Sequence, residues 1–496
     1  MRYLPDGEQM KAADAYTIGE LGIPSLVLME RAALKVVEEL CRREMDLARV
    51  LIVCGSGNNG GDGFAVARLL HEKGICADVL FAGKESSLSE ECALQKKIAK
   101  RLGISIFTDL PDGEYTVVTD ALFGVGLSRE ISGRYADIIE WMNRQNARKV
   151  AVDIPSGVRA RTGRILGTAF RAELTVSMEC VKLGCELFPG KAYAGETVAV
   201  PIGISKGIFK DNKDVCFTYD KEEIPSLLPK RSADSHKGSY GKVLMVTGSS
   251  GMAGACFLSA KAAYSTGAGL VQIYTAEENR QVIQQLLPEA IVSCYGRYDG
   301  AELSRLLKWA DVVCIGCGLG KSEVSEQLLV HTLKEADIPC VIDADGLNLL
   351  CGHMELLKES SAPLILTPHM MEMSRLTGKS VAELKADRMT ILRAFTGEYP
   401  AVCALKDSRT AVAQRGRQTF LNLAGNNAMA KAGSGDVLAG TITGLLAQGM
   451  GAFEGAAMGV FLHACGGDEA RKEKGVYSVL ARDLTAGIED VLRGTE

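Results

Sequence analysis

A chain of 496 residues with 47% hydrophobic and 24% charged residues is long enough for two to four cored domains, and its mixed composition excludes a disordered or fibrous protein. Its formal net charge of -5 and sequence pI of about 5.9 give no basic footprint for nucleic acid, although glycine loops and a few cations can still hold an anionic nucleotide. No apolar run reaches the length of a membrane span, and Met1-Arg-Tyr-Leu-Pro-Asp-Gly-Glu8 is charged from the start, unlike an export signal, so a cytoplasmic address is expected. The 15 cysteines are scattered singly through apolar segments and read as reduced core residues. Cys314-Ile-Gly-Cys317 is a CxxC without the second ligand pair that a zinc site wants.

Residues 8–20 read as an opening helix, and Pro24-Ser25 precedes a second with Ser25 as candidate N-cap. Arg49-Val-Leu-Ile-Val-Cys54 is a buried-strand pattern running into Gly55-Ser-Gly-Asn-Asn-Gly-Gly-Asp-Gly63. A helix is expected from Phe64 to Lys73 and a strand over Ala77–Phe81, which makes a βαβ unit with a glycine-rich first turn. Gly55, Gly57 and Gly60 spell GxGxxG, the pattern of a nicotinamide-dependent dehydrogenase. Two details weaken that reading: Asp78 begins the second strand instead of ending it, and Asn58, Asn59 and Asp62 are side chains that a plain pyrophosphate turn does not need. Tyr115-Thr-Val-Val-Thr-Asp120 runs into another glycine turn, and Lys149-Val-Ala-Val-Asp153 into Ile-Pro-Ser-Gly157. A single strand-end Asp often only caps a turn. Asn59, Asp120, Asp153 and Ser156 all follow strands, and in an open parallel sheet they meet at one ligand-binding rim.

These three runs, with Ala172-Glu-Leu-Thr-Val and Phe188-Pro-Gly-Lys-Ala-Tyr-Ala-Gly195, resemble the NAD(P)H-hydrate epimerase domain across residues 1–220. The resemblance implies a Rossmann-like three-layer domain that interconverts the two epimers of hydrated NADH or NADPH. It implies a substrate pocket lined by Asn58, Asn59, Gly60, Gly61 and Asp62, by Gly124, Val125, Gly126, Leu127, Ser128, Arg129 and Glu130, and by Tyr135. It further implies potassium on Asn59, Asp120 and Ser156, and Asp153 as the acid–base residue. Inverting a hydroxyl-bearing carbon beside a ring nitrogen needs only proton transfer.

A charged stretch over residues 206–214 and prolines at 225 and 229 place a boundary near residue 220. The α/β rhythm then restarts, with strands beginning near Lys242, Gly269, Asp311, Cys340, Leu364 and Ala401, and their ends carry glycines, Asp343 and Asp345, His369 and the run Lys406-Asp-Ser-Arg-Thr410. Lys406, Ser408, Arg409 and Thr410 can cradle a diphosphate, while the same run also reads as an ordinary solvated turn. Ala432-Gly433-Ser434-Gly435 leads into Asp436 and an apolar helical run from Val437. Glycine amides and a helix start attract an anion, so a carboxylate placed there suits a base for a hydroxyl that attacks phosphorus; capping of the helix by Asp436 is the plainer reading.

His236-Lys-Gly, Gly316-Cys-Gly-Leu-Gly, Asp343-Ala-Asp-Gly-Leu-Asn, Leu366-Thr-Pro-His and Gly433-Ser-Gly-Asp-Val-Leu-Ala-Gly440 together resemble the ribokinase-like ADP- or ATP-dependent NAD(P)H-hydrate dehydratase, over residues 221–496. The whole chain is then α/β, an epimerase domain followed by a dehydratase domain. The resemblance implies Asp436 as base, with Ala255, Gly318, His369 and Asp436 on the substrate. It implies Lys406, Asp407, Ser408, Arg409, Thr410 and Gly435 on the nucleotide, ADP or ATP as phosphoryl donor, and Mg2+ held by phosphates and water, with Asp343 and Asp345 as supporting acids. A homo-oligomer is implied, with no nucleic-acid or membrane partner. Two positions depart from the family pattern: Met370-Met371 follow His369 where Pro-Gly is expected, and Cys317 stands where proline is usual. The rival readings are a ribokinase-like small-molecule kinase fused to a non-catalytic nucleotide-binding module, and an RNA-decapping scaffold, which the missing basic patch disfavours.

Overall fold

The computed structural model describes residues 1–495, and its contacts divide the chain into one unit from Arg2 to Cys216 and another from Phe217 onward. In the first unit β1 (Val50–Cys54), β2 (Ala77–Phe81), β3 (Ile106–Phe107), β4 (Val117–Ala121), β5 (Arg148–Val152), β6 (Leu174–Met178) and β7 (Glu196–Val200) form a parallel sheet ordered β3-β2-β1-β4-β5-β6-β7. Side chains alternate across it. Val50, Ile52 and Cys54 pack with α1 (Gly7–Gly19), α2 (Ser25–Arg42) and α3 (Asn58–Glu72), whereas Leu51 and Val53 pack on the opposite face with Ile138, Ile139 and Met142 of α4 (Arg134–Arg144). Strands buried on both faces explain the continuous apolar runs, and each fully buried aliphatic side chain contributes about 1.5–3 kcal/mol. From β1 the chain builds β2 and β3 to one side and then crosses back to place β4 on the other side of β1, so a crevice opens beyond the carboxyl ends of β1 and β4.

In the second unit the strands are β8 (Lys242–Val246), β9 (Leu270–Ala276), β10 (Ile291–Tyr295), β11 (Val312–Ile315), β12 (Cys340–Ile342), β13 (Leu364–Leu366), β14 (Ala401–Leu405), β15 (Ala411–Ala413) and β16 (Thr419–Leu421). They run in the order β16-β15-β14-β13-β12-β11-β8-β9-β10. Pairs from β10 to β14 are parallel, while β14–β15 and β15–β16 are antiparallel. Helix α5 (Ala253–Ser265) packs against α6 (Ser434–Ala447) at unusually short range. A Cβ on Gly440 would fall 2.0 Å from the Ser259 carbonyl oxygen, and one on Gly444 2.6 Å from that of Ala263. These two glycines therefore serve backbone approach one turn apart, not ligand binding.

Several local expectations are corrected. Pro24, not Ser25, is the N-cap of α2; Ser25 is its first helical residue, and its hydroxyl donates to Glu91 Oε1 at 2.6 Å. Helix α3 begins at Asn58 rather than Phe64, and α6 at Ser434 rather than Val437. Small and polar residues carry no apolar periodicity, yet tertiary packing holds them helical. Gly433, in the left-handed region with φ 89°, is the N-cap of α6, so Asp436 sits in the first turn and is not the cap. The uncharged run from 437 to 453 is two helices, since α6 stops at Ala447 and α7 (Ala452–Ser478) follows a turn through Gly449 at φ 90°. The segment 406–410 is the turn of the β14–β15 hairpin, not a loop following a parallel strand pair.

Candidate active sites

In the first unit, Asn58, Asn59, Asp62, Gly124, Val125, Gly126, Leu127, Ser128, Arg129, Tyr135 and Asp153 line one cavity of ≈ 560 Å³ beside the β1–β4 crevice. Gly60 and Gly61 do not line it: a Cβ on Gly60 would meet the Gly55 carbonyl at 2.0 Å, and one on Gly61 the Met29 side chain at 2.6 Å, so both serve helix packing. Glu130 is exposed and is absent from the wall. The Phe123 and Tyr135 rings meet edge to face with centroids 5.1 Å apart, fixing the aromatic side of the cavity.

Asp120 lies at the end of β4 with no solvent exposure. Its Oδ2 accepts from the Ser156 backbone N–H at 2.7 Å, and its Oδ1 accepts from the Ser156 hydroxyl at 2.7 Å and from Leu122 N–H at 3.1 Å. Burial pushes its carboxyl up to about 6 against the pull of those bonds. No lysine or arginine pairs with Asp120 among the described residues. Asn59 Nδ2 is buried without a partner, and a Cβ on Gly124 would stand 3.3 Å from the Asn59 Cβ. A buried carboxylate without a protein counter-ion, bonded to the Ser156 hydroxyl, offers oxygens of the kind a hard monovalent cation takes, whereas the unpartnered Asn59 Nδ2 is an N–H donor and not a ligand atom.

Asp153 takes φ 69°, a strained value for any residue but glycine. Its Oδ1 accepts from Met178 N–H at 3.0 Å and from the Lys182 ammonium. Lys182 is 1% exposed and also donates to the Met178 carbonyl at 2.9 Å. The sequence reading missed this lysine; the signal was a lone cation inside the apolar run Cys180-Val-Lys-Leu-Gly-Cys185. Asp62 and Asp14 share the cavity with Asp153. Burial first, then the Asp153 and Asp14 charges, holds the Asp62 carboxyl well above the usual carboxylate range, and burial with Asp153 raises Asp14 as well. The arrangement places a carboxylate paired with an ammonium beside a carboxyl whose hold on a proton is strengthened, a pairing suited to inversion at a hydroxyl-bearing carbon.

In the second unit, Asp436 stands in the first turn of α6, and its carboxyl is pushed up to about 7 by burial and then by Asp343. Asp343, 1% exposed at the end of β12, accepts at Oδ1 from Lys406 Nζ at 2.6 Å and from the Thr367 hydroxyl at 2.7 Å. The next residue, Ala344, has φ 50°, so the backbone is strained where Asp343 is aimed. A Cβ on Gly435 would stand 3.4 Å from Lys406 Nζ, which puts the start of α6 against the same ammonium. His463 is buried near the Ser434 hydroxyl at 3.4 Å, and burial depresses its imidazole to about 4, so it is neutral at physiological pH. Cys317, fully buried, approaches both Asp343 and Asp436, and its thiol bonds Cys314 behind it.

The hairpin turn divides the predicted nucleotide residues. Asp407 is tied to buried Arg388, Arg409 donates to the Leu423 carbonyl at 3.2 Å, and the Thr410 hydroxyl donates to the Asp407 carbonyl at 3.1 Å, whereas Ser408 is exposed. His369 is the exposed N-cap of α8 (Met370–Thr377): its Nδ1 accepts from Met371 and Glu372 N–H, both at 3.1 Å. The unexpected Met370-Met371 pair thus simply opens that helix. Ala255 and Gly318 adjoin, since a Cβ on Gly318 would lie 2.8 Å from the Ala255 Cβ. Sequence reading missed Arg388 and His463, which bear no local motif, gave Thr367 no role although it lies within Leu366-Thr-Pro-His, and treated Asp343 as an accessory to a site in which it holds the lysine.

Comparison with known proteins follows this division. The family model described as NAD(P)H-hydrate dehydratase matches residues 243–490, and the YjeF-related protein N-terminus matches residues 25–184. The chain is 36% identical over 515 residues to the bifunctional NAD(P)H-hydrate repair enzyme Nnr of Moorella thermoacetica, covering 100% of this chain and 97% of that one. It is 33% identical to the protein of the same name from Escherichia coli, covering 95% and 90%. The ADP/ATP-dependent NAD(P)H-hydrate dehydratase of Bacillus subtilis, co-crystallised with ATP/Mg2+, superposes with a TM-score of 0.51 at 31% identity, covering 56% of this chain and 98% of that one. A ribokinase-like superfamily protein of Enterococcus faecalis superposes with a TM-score of 0.52 at 27% identity, covering 56% and 96%.

Proposed function

The chain belongs to the bifunctional NAD(P)H-hydrate repair enzymes, and we propose that residues 1–220 epimerise NAD(P)H hydrate while residues 221–496 dehydrate it. The observation that carries this reading is that each unit holds its own lysine–carboxylate pair at a reactive aspartate: buried Lys182 on Asp153, and Lys406 on buried Asp343 beside Asp436.

In the epimerase site, Asp62 gives its proton to the ring hydroxyl, which leaves as water while the nitrogen lone pair forms a planar C=N⁺ centre. Water adds to the opposite face and loses its proton to Asp153, which Lys182 orients through their ion pair. Proton exchange with solvent then returns Asp62 to its acid form and Asp153 to its carboxylate, and the opposite epimer is converted by the same steps with the two roles exchanged. Asn58, Asn59, the 124–129 loop and Tyr135 hold the substrate. Potassium fits the Asn59, Asp120 and Ser156 oxygens and supplies the counter-charge that Asp120 lacks. Replacing K⁺ by tetramethylammonium is therefore expected to lower the melting temperature of the parent, with no such change in Asp120→Asn, as read by thermal denaturation.

In the dehydratase site, Asp436 deprotonates the ring hydroxyl, whose oxygen attacks the terminal phosphorus of ADP or ATP and displaces AMP or ADP as the bridging P–O bond breaks. The amides of Gly433, Ser434 and Gly435 hold the transferred group. Lys406, Asp407, Ser408, Arg409 and Thr410 hold the donor, while Ala255, Gly318 and His369 contact the hydrate. Mg2+, carried by phosphates and water, supplies charge neutralisation when bound. The C–O bond then breaks with loss of a proton from the adjacent carbon, giving phosphate and NAD(P)H. We place the enzyme in the cytoplasm, consistent with its free cysteines, and as a homo-oligomer, for which exposed Tyr16, Leu21, Leu26 and Val27 offer an apolar surface.

The test supplies both NADH-hydrate epimers and follows NADH absorbance with ADP, ATP or neither. Both epimers should be recovered only when nucleotide is present. A phosphorylated product that persists would instead identify a kinase.

A further inference from the structure

The thiol of Cys317 is fully buried in the turn after β11. Its sulfur lies 3.9 Å from Asp343 Oδ2, and among the described residues one ligand atom each from Cys317, Asp343 and Asp436 lie within 4.8 Å of one another. Ligand atoms around one tetrahedral zinc ion stand within about 4 Å of each other, given bonds of about 2.0–2.3 Å. A small closing of side chains therefore brings the three onto one ion. When ionised they carry three negative charges, of which Lys406 offsets one through Asp343 Oδ1, the oxygen turned away from the sulfur contact. Two uncompensated charges remain in a largely desolvated place, and a divalent cation matches them.

We propose that Cys317, Asp343 and Asp436 bind a thiophilic divalent cation of the zinc class, and that the bound ion stops dehydration by occupying Asp436. Binding converts the thiol to a metal thiolate and releases its proton to solvent. Sulfur selects against Mg2+, which demands an octahedral oxygen shell, so the metal travelling with the nucleotide is not drawn onto the base. The inhibitory half of the proposal rests on Asp436 being the base; the binding half does not.

Co2+ alone, added to the full-length protein without substrate or nucleotide, tests the binding half. One equivalent should produce the near-ultraviolet sulfur-to-cobalt charge-transfer band, and Zn2+ should displace it. Cys317→Ser and Cys317→Pro should each weaken Co2+ binding by about tenfold or more. Absence of the band in the parent, or an equal band in both variants, overturns the site, because the sulfur would then come from another cysteine. In the turnover assay, Zn2+ at the displacing concentration should stop NADH recovery by the parent while both variants continue. A parent that shows the band yet turns over at full rate with Zn2+ bound overturns the inhibition.

Discussion

Asp436→Asn is expected to lower nucleotide-dependent recovery of NADH by roughly a thousandfold, while interconversion of the hydrate epimers continues at the parent rate. Asparagine keeps the size of the side chain and removes only its capacity to take a proton. The two activities lie in separate units, so loss of one without the other separates chemistry from unfolding. Parent activity should rise with pH through about 7 and level off above it, because burial and the Asp343 charge push the Asp436 carboxyl up to about 7 and only its ionised form accepts the hydroxyl proton. Asp343→Asn removes the repulsion and releases Lys406 to act on Asp436. Both changes favour the carboxylate, so the acid limb should move to lower pH even as turnover falls. Rates of epimerisation and NADH recovery, measured on the same preparations across pH, check both statements. An Asp436→Asn enzyme that restores NADH at the parent rate would falsify the assignment.

Asp153→Asn should strand the epimer that the dehydratase does not use, so that recovery from a mixed pool stops after one epimer, apart from slow spontaneous interconversion. A fall of about a hundredfold or more in epimerisation is the expected size for a lost acid–base group. Asp62→Asn should give a comparable fall in kcat with a small change in KM, since the amide still fits the cavity but carries no transferable proton. The parent should lose epimerase activity as pH rises through the Asp62 carboxyl, which burial and neighbouring carboxylates hold well above its usual range. Lys182 acts through Asp153, so it is a positioning residue. Lys182→Met should cost roughly 3 kcal/mol of stability as a broken buried pair. Lys182→Arg, which keeps the charge, should recover part of the epimerase rate. An unchanged pH profile in Asp62→Asn would remove it from the mechanism and leave Asp153 alone.

The order of glycine loops and strand-end acids was legible in the chain because those features are local. Residues 55–63 and 432–435 are glycine-rich turns that lead into helices, and Asp120, Asp153 and Asp343 end apolar runs, whatever the rest of the molecule does. From these and the family resemblance came the two α/β units and the two aspartates assigned to catalysis. Glycine's meaning was less legible. Gly60 and Gly61 look like ligand-loop residues in the sequence, and only the packing shows that neighbouring backbone or side chains fill the space where a Cβ would stand. Helix starts at 58 and 434 were set late by the sequence because small and polar residues lack apolar periodicity.

What tertiary structure alone decided is the electrical state of each reactive group. Lys182 lies 29 residues from Asp153, and Lys406 lies 63 residues from Asp343, yet each pair shares one hydrogen bond. Burial, and carboxylates brought close through space, hold the Asp62 carboxyl well above its usual range and push that of Asp436 up to about 7. Cys317, a turn variant in the sequence, becomes a sulfur facing two acids. Residue types and their local order fix which groups stand at strand ends and helix starts. The field each group feels depends on desolvation and on charges distant in the chain, and folding alone sets those.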